Sequence, residues 1–333
     1  MNLEESERPT PLNTDAEQIG STATAWVLLT VALWGGTPVA ISYAVDTWPP
    51  VAVAGVRFLL ASGFMLVWCR LEGTSLALRP GQVAPSLILG ILLFVQISLF
   101  TAGVEHSTAS HGTLFINTFV FWVVAIEHFV TKTDRLTLSR LMGLLLAAAG
   151  VVLILSVTDA PHPTANDARP MDQPTLLGDC MLLASGFFLG VKIVYTKQAT
   201  RYVEPGKLLF WHDAVGVVLF AAYSACFESI TWADLADFGN PKNLPAVWGL
   251  LYQGLVVGGF CFAVQAQLLK RHSATKLSVF AFLTPLFGIS LAVILRNDVL
   301  SGWLFLSAAC VTAGIVMVNR RAAEPTGSGQ VVE

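Results

Sequence analysis

The stretch HSTASHGTLFINTFVF, residues 106–121, is written a second time as HSATKLSVFAFLTPLF, residues 272–287. His106 falls on His272, Ser107 on Ser273, Thr118 on Thr284 and Phe121 on Phe287. Outward from this pair the correspondence keeps its order. DRLT at Asp134 meets DVLS at Asp298 after a shift of two residues. WPPVAVAGVRF (48–58) meets VEPGKLLFWHD (203–213), with Pro50 on Pro205 and Arg57 on His212. LLTVALWGG (28–36) meets LLASGFFLG (182–190). Each match alone is weak, but a chance resemblance would rarely keep order over most of a chain.

What is repeated is a set of apolar runs. Of the 333 residues, 54% are hydrophobic and only 12% are charged, whereas a soluble domain has about 25% charged residues. So few charges cannot cover a water-facing surface of this size, and the chain reads as an integral membrane protein. The net charge of −3 offers no basic surface for nucleic acid. The five cysteines lie in apolar runs with no metal or disulfide spacing, and read as small buried hydrophobes. No metal site and no cofactor is expected.

Runs long enough to cross a bilayer as helices lie near 24–45, 50–69, 82–103, 109–130, 138–157, 177–196, 207–227, 246–268, 275–296 and 300–319. Residues 1–20 and 321–333 read as polar, disordered cytoplasmic tails. With the N-terminus inside, the cytoplasmic segments and span ends hold 14 of the 19 basic residues, and the opposite side holds only Arg169, Lys242 and Arg296. That asymmetry places both termini in the cytoplasm. The repeat unit is then five spans, 21–157 and 177–320, joined by an extracytoplasmic linker at 158–176. An odd number of spans forces the two units into opposite orientations, an arrangement that recurs in secondary transporters. The expected fold is an all-α integral membrane protein with ten transmembrane helices in two inverted five-helix repeats.

The motifs WGGTP (34–38), VRFLLAS (56–62), STASHGTLF (107–115), DRLT (134–137) with Arg140 and Gly143, SATKLSVFAFLTPLF (273–287) and GIVMV (314–318) resemble those of EamA-type members of the drug/metabolite transporter superfamily. The resemblance spans both halves and implies ten helices in two inverted halves around a cavity, the fifth and tenth lying outside it. It also makes Trp34 a candidate cavity residue beside a plainer role in core packing. The sequence departs from the pattern at Phe119, where a proline is usual, at Asp134 and Asp298, where Glu is usual, and at Ser307, which stands where the first half has Gly143.

Charged and polar groups inside spans are functional candidates, because each costs about 2.5–3.5 kcal/mol at a helix centre on insertion scales. Arg57 lies about seven residues, roughly 10 Å, into its span. It either binds an anionic group of the substrate or holds a structural bond. His212, its repeat partner, is a candidate for binding or for plain structural bonding. Asp213 follows it, at about 100° around the helix, so the two are not expected to form a simple pair. Ser110, Thr113, Asn117, Val124 and His128 share one face of the fourth span. That face should look into the protein, with Thr113 and Asn117 either bonding substrate or gluing helices. Glu127, with His128 and Asp213, is a candidate for coupling or gating, or an interfacial carboxylate. Pro38 and Pro285 are candidate hinges. Lys192 is expected to snorkel, Asp179 to suit a helix dipole, and Trp26, Trp48, Trp68 and Trp248 to lie in interfacial belts.

Transport is the leading reading: a carrier, most simply an exporter, of a small organic metabolite, anionic or zwitterionic, in the plasma membrane. The lipid bilayer is its other partner, and a monomer suffices. No GxxxxGK[ST] loop is present for direct ATP drive. An intramembrane enzyme is the rival, but Glu127-His128 has the wrong order for HExxH and no second His four residues away. A membrane scaffold or sensor would be expected to carry a sizeable soluble domain.

Overall fold

A computed structural model describes residues 20–132, 137–157, 174–228, 240–271, 280, 283–298 and 301–319, and every regular element among them is helical. They are α1 (Ser21–Gly35), α2 (Thr37–Val45), α3 (Pro50–Leu71), α4 (Pro80–Glu105), α5 (Ala109–Ile116), α6 (Phe119–Phe129), α7 (Leu138–Val157), α8 (Leu176–Ala199), α9 (Pro205–Phe227), α10 (Leu244–Leu251), a π-helical segment (Tyr252–Cys261), α11 (Phe262–Arg271), α12 (Leu283–Arg296) and α13 (Gly302–Asn319). Grouped where they run on, they make seven stretches long and apolar enough to cross a membrane, with three shorter apolar helices at Leu141–Ser156, Leu283–Arg296 and Gly302–Met317. The chain is a multi-pass membrane protein. Its helices turn Leu59, Val67, Val152, Val218, Ile294 and Phe305 outward, each more than half exposed, as a surface solvated by lipid requires.

Local chemistry sets the helix ends. Pro50 and Pro205 both stand at the first turn of their helices, where no backbone donor is needed. Thr108 and Thr175 cap α5 and α8 by accepting from His111 N and Gly178 N. Gly73, at φ +69°, ends the turn after α3.

Two expected spans are broken. The first changes helix at Gly36, which puts Pro38 in the first turn of α2 and not in a helix interior. The fourth is interrupted at Asn117–Thr118, where the backbone leaves the α-helical ladder between α5 and α6. The eighth contains the π-helical segment, a geometry rare beyond one turn.

Three pairs of helices pack antiparallel. On α3 and α9, Gly55 meets Phe220, whereas Cys69 meets Gly206. Glu228, just past α9, accepts from Val51 N at 2.8 Å and Ala52 N at 2.9 Å at the start of α3. Glu72, just past α3, lies beside Gly206 at the start of α9. Each helix thus presents a carboxylate to the positive N-terminus of the other. On α7 and α13, Ser139 Oγ donates to Met317 O at 3.1 Å and Ser307 Oγ to Gly150 O at 2.8 Å. Gly314 sits directly on Gly143 O, too close for any side chain. On α5 and α12, Thr113 packs on Gly288 and Ser110 bonds Asp298.

Several expectations are corrected here. Trp48 is 4% exposed and belongs to the core with Ile41, Phe115 and Leu250, so it does not sit in an interfacial belt. Cys180 and Cys226 are exposed, on outward helix faces, and only Cys69 and Cys261 are buried. Asp134, most of the 158–176 linker, the His272 stretch up to Val279 and both tails lie outside the described residues.

Candidate functional site

Arg57 stands on α3, whose main neighbours are α9, α4 and the π-helical segment. Gly254 of that segment packs on Arg57 O and Leu60, Gly258 on Ala61 and Gly259 on Phe64. Bare glycine backbone therefore closes one side of α3 around the arginine. The Arg57 side chain is 2% exposed, and among the described residues its Nε and Nη1 have no hydrogen-bond acceptor. Its Cζ lies 4.9 Å from the centroid of the Phe58 ring. A guanidinium offers five donors, so a buried one whose Nε and Nη1 lack acceptors is a marked anomaly.

Phe58 also touches the second candidate, His212. The His212 ring meets Phe58 edge-on at 6.4 Å. His212 Nδ1 lies 2.8 Å from Asp213 Oδ1, and both residues are buried. The expectation that adjacent residues would not pair is therefore wrong. Side-chain torsions bring the ring nitrogen and carboxylate together although their Cα–Cβ bonds diverge. Asp213 Oδ2 has no partner among the described residues.

Lys192 is the second correction. It does not snorkel: it is 6% exposed and donates from Nζ to Gln96 Oε1 at 3.0 Å, with Nζ 5.5 Å from the Phe262 ring centroid. Gln96 is fixed in turn, since its Nε2 donates to Ser185 Oγ at 3.0 Å and Ser185 Oγ donates to Gln96 O at 2.9 Å. Lys192 lies within electrostatic reach of both Arg57 and Asp213. Four helices, α3, α4, α8 and α9, thus bring two cations, one carboxylate, a histidine and an amide together inside the bundle. On the α2 side, Gln253 Nε2 donates to Thr37 O at 2.7 Å, while Gln253 Oε1 and Thr37 Oγ1 are buried without partners among the described residues.

The remaining candidates stand around this centre. Trp34 is half-buried with its ring edge-on to Phe262 at 6.3 Å, one ring away from Lys192. Thr113 and Asn117 are each 1% exposed, so their face does look inward. Thr113 Oγ1 donates to Ala109 O at 2.9 Å and Asn117 Nδ2 to Thr113 O at 2.7 Å, both bonds within their own stretch of chain. Their helix α5 packs on α2, α4, α8 and α12. Glu127 is buried and pairs with Lys197 Nζ at 3.0 Å, joining the ends of α6 and α8. His128, half-buried, stacks edge-on with Phe129. Pro285 lies in the first turn of described α12.

Two groupings escaped the sequence reading. Asp179, more than a dipole partner, is fully buried between Ser107 Oγ at 2.6 Å and His111 Nδ1 at 2.9 Å. It ties the starts of α5 and α8 together. At the ends of α2 and α12, Arg296 Nη1 pairs with Asp46 Oδ2 at 2.6 Å, Tyr43 donates to Leu295 O, and Asp298 Oδ2 accepts from Ser110 N and Oγ.

Comparison with known proteins places this geometry in context. The model of the EamA-like transporter family matches residues 21–156 and again residues 176–320. An uncharacterized transporter of Bacillus subtilis, YoaV, is 21% identical over 292 residues, covering 87% of this chain and 94% of its own. An Escherichia coli protein named as a probable amino-acid metabolite efflux pump is 23% identical over 295 residues, with 86% and 91% covered. The Escherichia coli inner membrane transporter YedA, itself uncharacterized, is 25% identical over 294 residues, with 86% and 87% covered. One solved crystal structure shares the fold at a TM-score of 0.61 and 18% identity, over 90% of this chain and 98% of that one.

Proposed function

The chain belongs to the EamA-like transporter family, and on that premise we propose that it is a secondary transporter that exports a small organic metabolite by alternating access. The membrane part is ten spans in two inverted five-helix units, 21–157 and 177–320. The double match to the family, the antiparallel packing of α3 with α9, α5 with α12 and α7 with α13, and the reciprocal Glu72 and Glu228 contacts all support inversion. Both termini face the cytoplasm, on the strength of the loop charges, and the membrane is the plasma membrane, by likeness to the inner membrane relative. Export follows the direction in the name of the efflux-pump relative.

The observation that carries the reading is the guanidinium of Arg57, buried with no acceptor for Nε and Nη1 among the described residues. Leaving a buried donor unpaired costs about 1–3 kcal/mol. A substrate carboxylate or other anionic group that fills this gap explains why the arginine is kept. His212, Trp34, Thr113 and Asn117 complete the substrate surface, and Lys192 joins them. Glu127, with His128 close by, closes the cytoplasmic end through Lys197, and Pro38 and Pro285 mark the joints about which helices rock. No chemistry on the substrate is required.

The test is flux in sealed vesicles carrying the purified protein, after comparing metabolites released by cells with and without it. Export of an acid that stops on Arg57→Gln, with the protein still folded, is the expected result. Unchanged flux and affinity in Arg57→Gln would remove the arginine from the site.

A further inference from the structure

Two ion pairs stand at opposite ends of the bundle. At one end, Arg296 Nη1 at the close of α12 meets Asp46 Oδ2, just past α2, at 2.6 Å. At the other, Lys197 Nζ near the end of α8 meets Glu127 Oε1 near the end of α6 at 3.0 Å. Ser110, which bonds Asp298 beside the first pair, opens the run of helix that Glu127 closes. The internal repeat relates the two pairs. The register of 28–36 on 182–190 puts Lys197 on Tyr43, and that of 106–121 on 272–287 puts Glu127 on Val293. Those positions lie one helical turn before Asp46 and Arg296. Each pair thus joins the first span of one half to the fourth span of the other, with the charges exchanged. Contacts deeper in follow the same relation. Gly35 of α1 packs on Phe287 and Gly288 of α12, and Gly190 of α8 packs on Phe119 and Trp122 of α6. We propose that the two pairs are alternating latches, Asp46–Arg296 at the extracytoplasmic end and Glu127–Lys197 at the cytoplasmic end, and that the cycle releases one while the other holds. This rests on the reading above of inverted halves with cytoplasmic termini.

The Asp46–Arg296 end has the parts of a gate. Asn297, at φ +57°, turns the chain after α12, so that Arg296 meets α2 while Asp298 accepts from Ser110 N at 2.9 Å and Oγ at 2.7 Å. Arg296 Cζ also lies 4.8 Å from the Tyr43 ring centroid, and Tyr43 donates to Leu295 O. These polar ties hold α12 to α2 and α5, across the two halves. They line a polar cleft together with Ser42, Glu105 and Thr108. The Arg296 and Asp46 side chains are 11% and 22% exposed, so water can take the place of either partner at modest cost. Deeper in the bundle, Val39 of α2, Ala109 of α5 and Ala292 of α12 form a small apolar cluster of their own. Below that, Gly288 meets Gly35 O and Thr113 with no side chain to interdigitate. Little beyond the polar ties therefore keeps α12 from parting from α2 and α5. The same three spans carry the breaks at Gly36 and Asn117–Thr118 and the proline at Pro285, where each can bend.

The experiment reads accessibility of the full-length protein in its membrane, so it needs no substrate. The reporters are Val39→Cys behind the first latch and Val123→Cys one turn before Glu127, both at buried positions, each alone in a background without the five native cysteines. An impermeant thiol reagent is applied to intact cells and to inside-out vesicles. With both latches intact, both reporters should react slowly. Arg296→Gln should speed Val39→Cys in intact cells by about tenfold or more, the size of one lost charge-assisted bond, and leave Val123→Cys no faster in inside-out vesicles. Glu127→Gln should do the converse. The exchange of Asp46→Arg with Arg296→Asp should return Val39→Cys to slow reaction, which a merely loosened fold would not do. An unchanged rate in Arg296→Gln overturns the outer latch, and an exchange that stays fast overturns the pairing. Both reporters quickening together in either variant overturns the alternation. Val39→Cys quickening only in inside-out vesicles overturns the placement of the ends. None of these outcomes bears on Arg57 and the substrate, which the flux test decides separately.

Discussion

Arg57→Met separates a functional arginine from a structural one by the sign of a stability change. An arginine that anchors the fold would be missed. Here Nε and Nη1 bond nothing among the described residues, and what favours the charge is the Phe58 ring at 4.9 Å and the longer-range attraction of Asp213. An unsatisfied buried polar group costs about 1–3 kcal/mol, and a charged one costs more. The cation–π contact returns about 0.5–2 kcal/mol. Methionine is unbranched and adaptable, so it fills much of the same volume without polar atoms. With the Asp213 attraction also lost, the balance predicts a net gain of about 1 kcal/mol. At roughly 2–4 °C per kcal/mol for a chain of a few hundred residues, Tm should rise by about 2 °C or more. The assay is thermal unfolding in detergent, followed by intrinsic fluorescence of the nine tryptophans, with flux measured on the same preparation. Stability up and flux abolished is the expected pair. A Tm lowered by several degrees would refute the argument, since it would mean that the guanidinium holds the fold together.

Three further outcomes are expected. Charge reversal at either Glu127 or Lys197 alone should depress flux, and the double exchange Glu127→Lys with Lys197→Glu should recover much of it; failure to recover separates the 3.0 Å pair from the transport cycle. Single cysteines at Ser75 and Thr164, in a background without native cysteine, should differ toward an impermeant thiol reagent in intact cells, with Thr164 reacting and Ser75 silent, and the opposite pattern inverts the topology. Gly186→Val should cost about 1–3 kcal/mol by overpacking, because a Cβ there comes within 2.5 Å of Thr118 Oγ1 and 2.9 Å of Phe115 O, whereas Gly63→Ala, with open space around it, should be near neutral; equal behaviour of the two would mean that α8 does not depend on this close approach.

Much of the fold was legible because membrane insertion writes on the sequence directly. Hydrophobic length is a property of single segments, and the apolar helices fall where the apolar runs do. The repeat prolines Pro50 and Pro205 proved to be matching helix starts. What the runs did not disclose was interruption. The breaks at Gly36 and Asn117–Thr118 and the π-helical turns leave hydropathy unchanged, because they redistribute backbone hydrogen bonds without changing side-chain polarity. Trp48 was misjudged for a related reason. Position near a span end predicts depth, but α2 turns that end inward against α10 and the core.

The site was half legible, and the division is physical. Depth along a helix singled out Arg57 and His212, because depth can be counted from the sequence. Direction around the helix and the identity of the facing helix cannot, and those decide Lys192 and Asp213. Lys192 looked free to snorkel until Gln96, 96 residues away, met its ammonium inside the bundle. Asp213 looked misdirected until its carboxylate turned onto the neighbouring imidazole. His111 gave no signal of its own, since a histidine in an apolar stretch acquires meaning only when Asp179, 68 residues on, is buried against it. Satisfaction of a buried polar group is a property of its neighbours in space. The unpartnered Nε and Nη1 of Arg57, on which the proposed substrate argument rests, are therefore a property of the folded chain and not of the residue alone.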